Sequence, residues 1–176
     1  MNKISQFFVF SLLLLGFQFQ AQATVVDSSD VGFTTLNTVT INASPDEVYE
    51  QFVSHLGQWW SDDHTWSGKA SNLYIEAKIG GCWCERIPVD GEAEHARLIF
   101  MKPAETLRFA GELGPLQGMA VTGKMTINFK RVEGGTEVEL LYTVGGYAKG
   151  GLKPIAGAVD GVMREQLGRL KGFVEE

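Results

Sequence analysis

The period of the apolar residues changes twice along this chain, and those changes limit what it can fold into. Val48, Phe52 and Leu56 recur at helical spacing. From Asn72 to Gly146 the apolar positions instead recur at every second residue. These runs are broken by turn residues at Gly80-Gly81, at Val89 to Ala93, at Lys102-Pro103, around Gly114-Pro115 and at Glu133 to Gly135. The helical period then returns. Leu152, Ile155, Val159, Val162, Met163, Leu167, Leu170 and Phe173 form one apolar stripe over Leu152 to Phe173. Strands joined by short turns predict antiparallel neighbours. Strands segregated from helices predict an α+β layout. The last helix is the only element long enough to cover the inner face of such a sheet.

Ahead of the first period change, "FTTLNTVTIN" (33–42) is rich in β-branched residues and reads as a strand. "SPDEVYEQFVSHL" follows, with Ser44 as a helix cap, Pro45 suited to the first turn and Glu47 completing an S-x-x-E box. A helical insertion after the first strand is therefore expected.

The N-terminus has a different character. Lys3 precedes an apolar run from Phe7 to Phe17, and Ala21-Gln22-Ala23 closes it with a small-x-small pattern. That is the layout of a secretory signal peptide cut after Ala23, and the run is short for a membrane span. The organisation expected is a signal peptide over 1–23, a flexible leader over 24–32 and one domain over 33–176. An exported product, periplasmic or secreted, follows. With 21 acidic against 15 basic side chains, a net charge of −6 and no basic run, the chain is poorly suited to nucleic acid or anionic lipid.

Cys82 and Cys84 are the only cysteines. An extended C-x-C pair holds its α-carbons about 6.6 Å apart, near the upper limit for bridging, so two unpaired thiols on one face are expected. A strained redox pair is the alternative.

Five stretches resemble one superfamily in the right order: "INASPDEVYEQF" (41–52), "GGCWCERIP" (80–88), "KPAETLRFAGEL" (102–113), "GGTEVELLYTVGGY" (134–147) and "LGRLKGFVE" (167–175). Together they resemble the SRPBCC superfamily of START-like, birch-pollen-allergen-like helix-grip proteins. "GGCWCERIP" resembles the G-G-x-aromatic-x-E strand of its branch that includes polyketide cyclase/dehydrase-like proteins and chaperone ATPase-activator homologues. The resemblance implies a curved antiparallel sheet gripping the C-terminal helix, with a cavity between them. Members bind lipids, hormones or polyketides, and a minority catalyse, so fold leaves function open. The leader and the paired cysteines argue against a cytosolic chaperone role.

Alternation sorts the cavity face from the outer face. Val138, Leu140, Tyr142 and Val144 share one face; Met125, Ile127 and Phe129 share another, continued by Met119, Val121 and Gly123; Leu107 and Phe109 point the same way. On "CWCERIP", Trp83, Glu85 and Ile87 oppose Cys82, Cys84 and Arg86. If Trp83 faces inward, so does Glu85, and a carboxylate in an apolar interior needs a partner. Arg97 is the partner expected, with His95, Arg97 and Ile99 on one face. Three roles stay open for Glu85: a pair with Arg97 that fixes strand register, an anchor for one end of an apolar ligand, or a general acid or base.

"QWWSDDHTWSG" (58–68) holds three tryptophans, two aspartates and a histidine. The reading is a lid, with aromatic rings over an apolar cavity and Asp62, Asp63 and His64 as its polar rim. Neither H-x-x-x-H nor C-x-x-C nor G-x-S-x-G occurs, so no metal, cofactor or nucleophile triad is expected. The ligand-binding residues expected are Trp66, Trp83, Glu85, Arg97, Met119, Tyr142, Tyr147, Val159 and Met163, with Glu85 and His64 as candidates for catalysis. Gly157, Gly161, Gly168 and Gly172 fall on a stripe of the last helix nearly opposite the apolar one. They are either a tolerated solvated face or the docking face of a protein partner. The function expected is the binding of a small, mainly apolar ligand. The alternatives are a cyclase, dehydratase or hydrolase on the same cavity, and an interaction module.

Overall fold

The computed structural model describes residues 22–176. The apolar leader read at the N-terminus lies outside the described residues, apart from Gln22 and Ala23 at its end. Eight strands form one antiparallel sheet: β1 (Gln22–Ser29), β2 (Gly32–Ile41), β3 (Leu73–Ile75), β4 (Cys82–Ile87), β5 (Gly91–Lys102), β6 (Thr106–Ala110), β7 (Ala120–Val132) and β8 (Gly135–Tyr147). Their spatial order is β1-β2-β8-β7-β6-β5-β4-β3. The helices are α1 (Pro45–Ser54), the single turn α2 (Leu56–Trp59) and the long α3 (Ala156–Glu175). A curved antiparallel sheet with a C-terminal helix and a helical insertion near its start is the helix-grip α+β architecture.

One boundary differs from expectation. Residues 24–32 are not a free leader: Gln22–Ser29 pairs with β2 as an edge strand. The segment is polar and lacks alternation, so its strand character comes from backbone pairing to β2 rather than from a buried side-chain row. The helical insertion accordingly follows the second strand.

Elsewhere the local rules hold. Ser44 caps α1 by accepting the Glu47 amide at 3.3 Å, and Pro45 occupies the first turn. β2 alternates strictly between buried and half-buried positions. Val138, Leu140, Tyr142 and Val144 on β8, Gly123, Met125, Ile127 and Phe129 on β7, and Leu107 and Phe109 on β6 all face inward. Helix α3 lies against β1, β2 and α2, and α1 packs near β7. Between them Trp83 stacks edge-on with Phe52, Trp60 and Phe109, centroids 6.1, 5.2 and 5.6 Å apart. Edge-to-face contacts of this kind suit the opposite polarity of ring face and ring edge.

Two β-bulges interrupt the alternation on β5. Trp83 and Cys84 of β4 face Ala96 and Glu94, which leaves His95 as the extra residue. Leu98 and Phe100 face Phe109 and Arg108, which leaves Ile99 as the second. A bulge shifts the side-chain phase by one residue. His95 and Ala96 are therefore buried side by side, and Arg97 points outward. The expectation that His95, Arg97 and Ile99 share a face fails for this reason.

The cysteines also depart from expectation. Cys82 and Cys84 are joined by a disulfide, with α-carbons 5.4 Å apart. The strand is shorter here than an ideal extended one, opposite the bulge at His95, and the separation falls within bridging range.

Candidate functional site

The stretch 58–68 folds into a lid held down from three sides. Trp59 and Trp60 end the short α2 and sink into the core. Arg169 of α3 donates to the Trp59 carbonyl at 2.8 Å, and Gln166 accepts the Ser61 amide at 2.9 Å. Asp62 is a staple within the loop, accepting the Ala70 amide at 2.6 Å, while the Trp60 indole donates to the His64 carbonyl at 3.0 Å.

The third fastening is Glu85. Its side chain has no exposed surface. It accepts the Trp66 amide at 3.0 Å, the Ser67 amide, and a bond from His95 Nε2 at 2.9 Å. Burial pushes its carboxyl up. The hydrogen bonds from Ser67, Trp66 and His95 outweigh burial and hold it below the usual glutamate range. Arg97 is not its partner. It faces outward, pairs with Glu94 and donates to the Gly80 carbonyl at 2.7 Å. Glu85 is thus the internal peg of the lid, and the bulge, by sending Arg97 outward, leaves His95 as its side-chain partner.

The same bulge needs room. A side chain at Gly111 would meet the backbone of His95 and Ala96 at 2.4 Å, and one at Gly123 would meet the Gly111 carbonyl at 2.3 Å. Beneath them Tyr142 donates to the Gly111 carbonyl at 3.1 Å and accepts the Leu113 amide at 3.2 Å. Burial pushes the Tyr142 hydroxyl up to about 12, so it serves as a neutral tie rather than an acid.

Between the lid, the 113–119 turn and the first half of α3 lies a pocket of about 400 Å³. Its walls are mainly apolar: Trp60 and Trp66 from the lid, Leu116 and Met119 from the turn, Val159 and Met163 from α3. Asp63, His64, Thr65 and His95 supply its polar groups. His64 is tied to Glu165 of α3 at 3.2 Å, so lid and helix meet at the rim. A pocket of this size, apolar with a few polar groups, suits a small organic molecule.

The residues expected at the site separate into two groups. Trp66, Met119, Val159, Met163 and His64 border the pocket. Trp83 and Tyr142 are buried in the core, Glu85 lies behind His95, Arg97 is on the outer face, and Tyr147 is exposed at the end of β8. His95 was missed as a site residue. Alternation already places it on the face of Glu85 beside Arg97; the bulge sends Arg97 outward and leaves His95 as the partner. The glycines at 157, 161, 168 and 172 face open space, with no atom within 4 Å of a Cβ built at any of them. Among the described residues there is no cluster of three metal-ligating side chains, and no helix long and apolar enough to cross a membrane.

No protein-family model and no curated protein matches the sequence. Solved structures do match the fold. An uncharacterized protein from Rhizobium leguminosarum superposes with a TM-score of 0.62 at 20% identity, over 88% of this chain and 97% of that one. The Mll3558 protein from Rhizobium loti gives 0.59 at 18% identity, over 81% and 96%. CalU16 from Micromonospora echinospora gives 0.55 at 12% identity, over 88% and 85%. At these identities the likeness is one of fold.

Proposed function

We propose that this chain is an exported member of the SRPBCC superfamily that binds a small, mainly apolar molecule between its lid and α3. The observation that carries the reading is the pocket of about 400 Å³, walled by Trp60, Trp66, Met119, Val159 and Met163. Burying apolar ligand surface there is favourable by about 25 cal/mol per Å², and the few polar groups at its edge would orient the ligand. Export is supported by the sequence of the leader and by the Cys82–Cys84 bond, which suits an oxidising compartment.

Catalysis by Glu85 is the less favoured reading, because two backbone amides and His95 already occupy its carboxylate.

The test is titration with an uncharged solvatochromic dye. One saturable site is expected, reported by Trp60 and Trp66, the tryptophans on the pocket wall. Val159→Trp, which fills the pocket from α3, should weaken binding at least about tenfold while the thermal melt stays cooperative. Absence of saturable binding to the wild type, or equal binding by a folded V159W, overturns the reading.

A further inference from the structure

His95 differs from every other residue on the pocket wall. It is only 6% exposed, yet it borders two spaces. One is the apolar pocket; the other is a polar cleft of about 160 Å³ edged by Glu94, Glu112 and Thr122. Its Nε2 is committed to Glu85. That carboxylate already accepts the Trp66 and Ser67 amides, and an ionised carboxylate can only accept. The proton of the neutral ring therefore sits on Nε2, and Nδ1 is left with a free lone pair. Among the described residues no group is hydrogen-bonded to Nδ1. The imidazole is thus locked at Nε2 by a carboxylate, and Nδ1 stays open to the spaces that the ring borders.

Building on the reading of the pocket as a ligand site, we propose that His95 is the recognition group for a carboxylic acid at one end of the apolar ligand. In the bound state the acid's O–H bond breaks heterolytically. The proton goes to Nδ1, and the electron pair stays on the ligand oxygen. The resulting imidazolium lies between two carboxylates, the ligand's and that of Glu85, with a charge-assisted hydrogen bond to each. A ligand that arrives already ionised requires the proton from solvent. The other titratable groups near the ring are Asp63, and His64 held by Glu165, across the pocket, with Glu94 and Glu112 on the cleft side. Apart from His64 these groups are carboxylates.

The experiment compares 2-naphthoic acid with its methyl ester by calorimetry at pH 8, where an imidazole is ordinarily neutral. Two buffers of different ionisation enthalpy report proton uptake. The acid should bind at least about tenfold more tightly than the ester, the lower end of what a charge-assisted hydrogen bond supplies. About one proton should be taken up per acid bound and none per ester. In His95→Gln the preference and the uptake should both disappear. Equal binding of acid and ester, or a preference without proton uptake, overturns the proposal using the wild type alone, whether or not H95Q folds. Loss of the preference in His64→Gln but not in H95Q assigns recognition to the rim and also overturns it. If the ester binds and the acid is not preferred, only this proposal falls; if neither binds, the ligand-pocket reading falls with it.

Discussion

Glu85 shows how a single side chain is fixed by its partners rather than by its neighbours in sequence. Buried beside Trp83, its carboxylate would be costly without compensation. Two amides from the lid and the His95 ring supply it. Glu85→Gln keeps one acceptor oxygen but turns an NH₂ toward hydrogen-bond donors. Stability should fall by about 3 kcal/mol in chemical denaturation, and the Trp66 and Ser67 amides should lose protection in hydrogen exchange. The pH dependence has a definite sign. The folded carboxyl titrates below the ordinary value of 4.5, so its stabilisation is complete above that value. It is lost as pH falls through the lower folded value. The wild-type stability curve should therefore bend downward below about pH 4.5, and E85Q should flatten that part of it. Arg97→Ala is the contrasting case. Its pairing with Glu94 is at the surface, and its removal should cost less than about 1 kcal/mol. A loss as large as that of E85Q would mean that Arg97 reaches the buried carboxylate after all.

At the scale of elements, the β4–β5 pair departs most from regular geometry. One extra residue on β5 sends Arg97 outside, leaves His95 inside beside Glu85 and lies opposite the bridged cysteines. The bridge closes a very short loop, so the chain-entropy relation gives it little leverage, about 1.5 kcal/mol. Under non-reducing conditions the intact mass should be two hydrogens below that of the reduced chain. Reduction should lower the unfolding free energy by no more than about 2 kcal/mol. Helix α3 supports a separate expectation. Gly161 and Gly168 face open space, so Ala at each should raise stability by about 0.5–1 kcal/mol through helix propensity and a less disordered unfolded chain. A drop in stability, or loss of an oligomer in sedimentation, would show instead that another chain approaches this face.

For the whole molecule, sheet and helix leave their unfilled space at one end, where lid, turn and α3 converge. Trp83, Phe52 and Phe109 fill the centre, so the pocket is offset toward Trp66 and Met163 rather than running the length of the sheet. The reporters of binding are therefore Trp60 and Trp66, on the pocket wall. The exported form should begin at Thr24, which N-terminal sequencing checks. A chain that begins at Met1 in the exported fraction would remove the leader from the proposal. Cleavage there would take Gln22 and Ala23 from β1 and leave Thr24 to Ser29 to pair with β2.

The α+β class, the grip by the last helix and the inner face of β6, β7 and β8 were legible in the chain itself. Each depends on a local period carried by consecutive residues, and burial of one face makes a slipped register costly. Inward placement of Glu85 was legible too, since Trp83 and Glu85 are two residues apart on one strand. What lay beyond reach was decided between strands. The bulge at His95 is a mismatch between β4 and β5 that no period within either strand encodes. From it follow the outward turn of Arg97 and its exchange for His95 as the partner of Glu85. Strand β1 belongs to the same class, since its order comes from the open edge of β2 and not from its own polar residues. Local periodicity determined which residues could be buried; pairing between distant segments decided which of them meet.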